Sequence, residues 1–255
     1  MNPDQVGFLT LLKKEFMRFW SVFAQTVMAP VITALLYLFV FAQALQGRTS
    51  AYEGISYTEF LLPGLIMMTV LQNAFANTSS SLIQSKVMGN LVFILMSPLG
   101  ALEWFGAYVL AALARTTAVT AVMLAATYPF VPLPLHSVMS LLAMFFLASA
   151  SLAVLGIIAG IVSQKFDHIA AFTNFFIMPL SFLSGVFYSV HALPEFWLKA
   201  SHLNPFFYLI DGFRYGFFGE SDVAIGLSLL WGACFFLILS AICLWMLATG
   251  YRLRH

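Results

Sequence analysis

The chain has 255 residues, 62% of them hydrophobic and 8% charged, with a formal net charge of +1. Ordinary soluble domains hold roughly 45–50% apolar and about 25% charged residues, so too few polar groups are present to cover a soluble fold. The composition describes an all-α integral membrane protein. At roughly 20 residues per span plus short loops, its length allows about six transmembrane helices and no separate soluble domain.

Residues 7–20 are expected to form an interfacial amphipathic helix. At ~100° per residue, Phe8, Leu9, Leu12, Phe16, Phe19 and Trp20 share one arc, with Lys14 and Arg18 opposite. Lys13, Lys14 and Arg18 lead into an apolar block without an A-x-A-type cleavage site, unlike a removable signal. The first span is expected over 21–45, with Pro30 inside it. A polar stretch, 46–56, leads to a second span over 57–80. That span contains Pro63-Gly64, then Asn73, Asn77 and a serine run, so its inner end must face protein or a water-filled cavity. Asn77-Thr78-Ser79 matches a glycosylation acceptor, but its place inside a span makes the match spurious.

Residues 82–102 hold Lys86, Gly89-Asn90, an apolar run from Leu91 to Met96 and Ser97-Pro98. The run is too short to span and is bounded by turn signals. A third span over 103–130 contains Arg115. Pro129, Pro132 and Pro134 then mark a turn, followed by a fourth span over 136–163, a polar loop at 164–168 and a fifth span over 169–188 with Pro179. Residues 189–222 are aromatic and broken by Pro194 and Pro205. Asn204-Pro205 is a good helix start, and two short helices dipping into the outer leaflet are expected. The last span covers 224–250 and holds both cysteines, Cys234 and Cys243, expected as buried free thiols.

Lys13, Lys14, Arg18, Lys86, Lys165, Arg252 and Arg254 fall on one side of this six-span path, and Arg48, Lys199 and Arg214 on the other. The excess of Lys and Arg places both termini in the cytoplasm. Arg115 lies about eleven residues into its span, roughly 16 Å deep. A charge there costs about 2.5–3.5 kcal/mol unless paired or hydrated. It is either a contact to an anionic or polar substrate along a pathway, or a hydrogen-bond anchor to carbonyls or to Asn73 and Asn77.

No catalytic or metal-binding set stands out. Ser184-Gly185 lacks a Gly-x-Ser-x-Gly elbow, and His191 and His202 lie outside the spans. His136, His168, His191, His202 and His255 are scattered rather than spaced as ligands. The acids Asp4, Glu15, Glu53, Glu59, Glu103, Asp167, Glu195, Asp211, Glu220 and Asp222 sit at span ends or in connections, against proton or sodium coupling. No Gly-x-x-x-x-Gly-Lys-Ser/Thr loop exists to hold a nucleotide phosphate, so energy for any transport must come from another chain. No internal repeat is visible, which weakens an inverted-repeat transporter reading.

Several stretches carry a family resemblance. They are Val31-Ile32-Thr33 with Leu36-Tyr37; FLLPGLIMM over 60–68; Asn73-Ala74-Phe75-Ala76-Asn77; Gly185-Val186-Phe187-Tyr188-Ser189; and Ser201-His202-Leu203-Asn204-Pro205, running on to Asp211-Gly212-Phe213-Arg214-Tyr215-Gly216. In this order the chain resembles the permease subunit of ABC-2 type transporters, nearest the YadH- and NodJ-like bacterial branch. The resemblance implies a homodimer in the bacterial inner membrane working with two copies of an ATP-binding cassette subunit. That partner would bind ATP and Mg, leaving this chain without a cofactor or an enzymatic activity; no nucleic-acid partner is implied. It further implies a coupling segment over 82–102, with Lys86, Leu91, Ile94, Leu95 and Pro98 at the ATPase and a contact more apolar than in relatives bearing acids there. The outer residues Phe206, Phe207, Tyr208, Asp211, Phe213, Arg214 and Tyr215 are expected as a gate between two subunits, or as an aromatic belt at the membrane boundary. Asn73, Asn77 and Arg115 remain pathway or polar-anchor residues. Apolar and hydroxylic path residues favour an amphiphilic cargo (a lipid-linked saccharide, a lipid or a hydrophobic drug), and the alternative is a non-transporting assembly or sensor protein on the same scaffold.

Overall fold

The computed structural model describes residues 3–44, 54–97 and 99–252, and every regular element among them is helical. In chain order these are α1 (Pro3–Trp20); a π-helical turn (Ala24–Met28) that runs into α2 (Ala29–Ala44); α3 (Tyr57–Val87); α4 (Leu91–Leu95); α5 (Ala101–Thr127); and α6 (Val138–Val162). Then come α7 (Phe166–Phe172), a second π turn (Thr173–Ile177), α8 (Met178–Phe182), a short 3-10 turn (Val190–Ala192), α9 (Glu195–His202), α10 (Pro205–Phe218) and α11 (Ile225–Thr249). Five helices are long and apolar enough to cross a membrane: Ala24–Ala44, α3, α5, α6 and α11.

The expected fifth span, 169–188, takes a different form. Its helix starts at Phe166, widens into the second π turn and stops at Phe182, ahead of a turn where Gly185 has φ +75°. It still joins the two ends of the bundle, because Asn204 Nδ2 at the far end donates to the Leu180 carbonyl at 2.7 Å. The two π turns have a common cause. Each ends two residues before a proline, Pro30 and Pro179. A proline cannot donate to the carbonyl four residues back and its ring clashes with it. Those carbonyls belong to Thr26 and Phe175, inside the widened turns, where i→i+5 bonding gives the ring room.

The core helix is α3. In its most apolar stretch 83% of residues are buried, against 22% in the first and last spans. It starts on a capping box: Ser56 Oγ accepts from the Glu59 backbone N–H at 3.3 Å, and the Glu59 carboxylate accepts from the Ser56 N–H at 2.7 Å. The sequence reading ends this helix near Ser80, but it runs on to Val87. The serine run is tolerated because its hydroxyls are occupied, Ser79 donating to Phe75 O at 2.7 Å and Ser81 to the Glu15 carboxylate at 2.7 Å. The polar inner end therefore faces protein.

Helix α6 packs on α3 through Gly156 and Gly160, a small-xxx-small pair that lets two helices approach closely. A Cβ at Gly156 would lie 2.1 Å from Thr78 Oγ1 and 2.5 Å from the Phe75 carbonyl oxygen. At this seam Thr78 Oγ1 donates to Ala153 O at 2.7 Å.

Helix α1 docks on the bundle with a side that holds Phe19 of the expected apolar arc together with Leu11 and Glu15 outside it. Leu11, Glu15 and Phe19 are buried, whereas Leu9, Phe16 and Trp20, members of the expected apolar arc, are exposed. The helix docks sideways on α5 and on the inner end of α3, leaving those three side chains for lipid. Exposed apolar residues also line α2 (Ile32, Leu36, Phe39) and α11 (Leu237, Ile238, Trp245); in a bilayer such side chains carry no penalty. Cys243 is buried as expected, but Cys234 is exposed on α11, because the apolar face of a lipid-facing helix points outward.

Candidate functional site

At one end of the bundle lie Lys13, Lys14, Arg18, Lys86, Lys165 and Arg252. Lys86 Nζ donates to the carbonyls of Ile161 and of Ser163, the latter at 3.0 Å, and Arg252 Nη1 reaches Val162 O at 3.5 Å. Two cations thus satisfy the last carbonyls of α6, where cations also complement the helix dipole. Beneath α4 opens a cavity of about 580 Å³, lined by Lys86, Leu91, Leu95, Ile161, Gln164 and Arg252.

Of the expected coupling residues, Lys86, Leu91 and Ile94 point inward: Lys86 caps α6, Leu91 is 6% exposed and Ile94 is half-buried. Leu95 is partly exposed, and Pro98 lies outside the described residues. The outward face of α4 is Val92, Phe93 and Met96, the last two 74% and 80% exposed. Sequence reasoning favoured Leu91 and Leu95, which stack at i,i+4; the signal it passed over is that Phe93 and Met96 share the other face at i,i+3.

A buried polar network ties α1 to α3. Glu15 is fully buried and accepts from Lys14 Nζ at 2.9 Å and Arg18 Nε at 3.2 Å. Arg18 Nη2 donates to Asn77 O at 2.5 Å and Asn77 Oδ1 at 3.1 Å, and Nη1 to Ser80 Oγ at 3.2 Å. Asn77 is therefore the partner of Arg18 and not of Arg115. No sequence pattern marked Glu15 as buried, since it falls among charged neighbours.

Arg115 sits near the middle of the 27-residue α5 and is 8% exposed. Its Nη2 donates to Asn73 Oδ1 at 2.7 Å, whereas its Nε has no hydrogen-bond partner. It reaches a cavity of about 390 Å³ walled by the first π turn and α2, by α3, and by the second π turn and the start of α8. Gln25, Thr33, Tyr37, Gln72 and Thr173 contribute polar atoms, and Leu65, Met68 and Met178 apolar ones.

At the opposite end the expected gate residues are mostly core. Phe206, Phe207, Phe213 and Asp211 are at most 1% exposed, Tyr208 is buried and Tyr215 half-buried against His136. The reason is packing: α10 lies against α3, α6 and α11 of its own chain, so these side chains cannot also plug a path between two copies as they stand. Helix α10 starts as expected, with Asn204 Oδ1 accepting from the Phe206 N–H at 3.0 Å and Pro205 next. Arg214 is buried over Phe60, 3.8 Å from guanidinium carbon to ring centroid, and its Nη2 donates to Gly185 O at 3.0 Å. Gly64 permits this closeness, since a Cβ there would sit 2.8 Å from Val186 O. Asp211 accepts from the backbone N–H of Asp222 at 2.8 Å and of Val223 at 3.2 Å, closing the loop after α10. Replacing Asp211 with alanine strands two buried-side donors and is expected to cost about 1–3 kcal/mol. A lowered thermal midpoint in detergent, partly restored in Asp211→Asn, checks this. Phe196 and Trp197 on α9 are exposed at this end, an amphipathic surface suited to the membrane boundary.

Comparison with known proteins agrees with this architecture. The sequence family described as ABC-2 type transporter matches residues 6–218. The inner membrane transport permease YadH of Escherichia coli (strain K12) is 35% identical over 258 aligned positions, covering 100% of this chain and 99% of that protein. YadH of Shigella flexneri matches to the same degree. Nodulation protein J of Sinorhizobium fredii is 25% identical over 223 positions, covering 82% of this chain and 80% of its own length. An all-helical bundle of apolar spans, matched along its whole length by a transport permease, identifies this chain as a member of the ABC-2 type transporter family.

Proposed function

We propose that the chain is the membrane subunit of an ATP-driven exporter in a bacterial inner membrane, moving an amphiphilic or hydrophobic substrate outward. Permeases of this family work with an ATP-binding subunit. The observation that carries the proposal is α4, a short apolar helix whose Phe93 and Met96 stand free at the basic end. Six described Lys and Arg side chains gather there, which supports a cytoplasmic placement of that end and of both termini. Two copies of this chain would work with two ATP-binding subunits. ATP and Mg would be held by those subunits, and their closure would push on α4.

Co-expression with cassette ATPases from the same genome tests this reading. The expected result is a stable complex whose ATPase activity in lipid rises with one class among lipid-linked sugars, phospholipids and hydrophobic drugs. Failure of any cassette ATPase to co-purify would favour a non-transporting assembly or sensor protein instead.

A further inference from the structure

The mid-span cavity at Arg115 has the chemistry of an anion site with a route for a hydrocarbon tail. The guanidinium is nine-tenths buried, makes a single hydrogen bond to a neutral amide and keeps an unpartnered Nε. Among the described residues its side chain makes no ion pair with a carboxylate. A buried cation in a membrane is ordinarily paired or hydrated. A second copy of this chain would not supply the missing charge, because none of the described acids lies mid-span. Glu59 and Glu103 are in the first turns of α3 and α5, and Asp211 closes the loop after α10.

The rest of the lining fits an anionic oxygen. Gln25, Gln72 and Tyr37 offer amide and hydroxyl donors, and Gln72 is held only by a 3.4 Å contact from Nε2 to Met178 Sδ. The hydroxyls of Thr33 and Thr69 already donate to their own helices, to Ala29 O and Leu65 O. The volume, about 390 Å³, lies within the usual range of small-molecule sites. Two walls carry the proline-widened turns, and π turns recur at functional sites. The depth separates cargo from resident lipid. Arg115 is about 20 Å from either end of α5 at 1.5 Å per residue, whereas bilayer headgroups rest about 15 Å from the midplane.

We propose that this cavity binds the anionic head, a phosphate or carboxylate, of a single amphiphile in transit, with Arg115 as its charge partner, Gln25 and Gln72 as neutral donors, and the tail leaving along Leu65, Met68 and Met178. The proposal rests on the transport reading above and names the substrate class for it.

The test is native mass spectrometry of the chain in uncharged dodecyl maltoside micelles, titrated with dodecyl phosphate. One adduct per chain is expected, displaced by dodecanoate but not by dodecyltrimethylammonium. Arg115→Gln, which keeps a donor for Asn73, should weaken the adduct at least tenfold, and Arg115→Lys less. Unchanged binding in Arg115→Gln would overturn the proposal. Displacement by inorganic phosphate at similar concentration would also overturn it, reassigning the site to a free anion. Should Arg115→Gln fail to fold, the double variant Gln25→Leu/Gln72→Leu decides: a loss of threefold or more supports the site, and unchanged binding rejects it. Binding here needs neither ATP nor a partner, so its failure is distinct from failure of the ATPase to co-purify.

Discussion

Replacing Gly156 with leucine is expected to abolish accumulation of the folded chain. The first added carbon would meet Thr78 Oγ1 at 2.1 Å and the Phe75 carbonyl oxygen at 2.5 Å. One of those is backbone and cannot rotate away. The side chain of Thr78 is itself fixed by its 2.7 Å bond to Ala153 O, so relief means separating α3 from α6 along their whole seam. Overpacking costs typically about 1–3 kcal/mol and more when backbone must move; an effect of about 3 kcal/mol or more is expected here. Gly226 is the matched control, since a Cβ there meets nothing within 4 Å, and Gly226→Leu should leave the folded fraction intact. Size-exclusion chromatography of both variants in detergent reads the difference. Wild-type behaviour of Gly156→Leu would mean that the two helices do not meet at this glycine.

The second large effect is expected at α4. Phe93→Asp combined with Met96→Asp should lower co-purification of the ATP-binding subunit at least tenfold while the permease itself stays folded. These two side chains are 74% and 80% exposed and support no core, and large exposed apolar groups are where docking energy concentrates. Leu91→Asp should do the reverse, depleting the folded permease, because Leu91 is buried at 6% exposure among the side chains of the basic end. If Phe93→Asp/Met96→Asp still captures the ATPase at wild-type levels, the outward face of α4 is not the docking surface.

Much of the fold was legible because the bilayer enforces long apolar runs. The second, third and fourth spans fall close to α3, α5 and α6, and the Asn204–Pro205 signal marks a real helix start. The errors share a cause, which is that hydrophobicity alone does not say whether a side chain meets lipid or protein. Phe19 is buried against protein while Phe16 and Trp20 of the same apolar arc are exposed, and Glu15, a charge, is also buried by α1. The aromatic run of α10 looks like a gate and is core. Pro30 and Pro179 were visible inside their spans, but only the structure shows that both widen a turn toward the same cavity. Arg115 was the residue most plainly marked, since a lone charge in an apolar run has few explanations.

The same prolines make the bundle unequal in compliance. Helices α3 and α6 are locked glycine to carbonyl, and Lys86 and Arg252 clamp the end of α6 to the ends of α3 and α11. Apart from Pro63 in the second turn of α3, that block carries no proline and no π turn, so a load applied at α4 would pass through it with little loss. The first span and the α7–α8 helix each carry one weak turn, and both turns lie at the rim of the Arg115 cavity. Strain applied at the basic end would therefore be released where those walls stand, half a membrane away from its source.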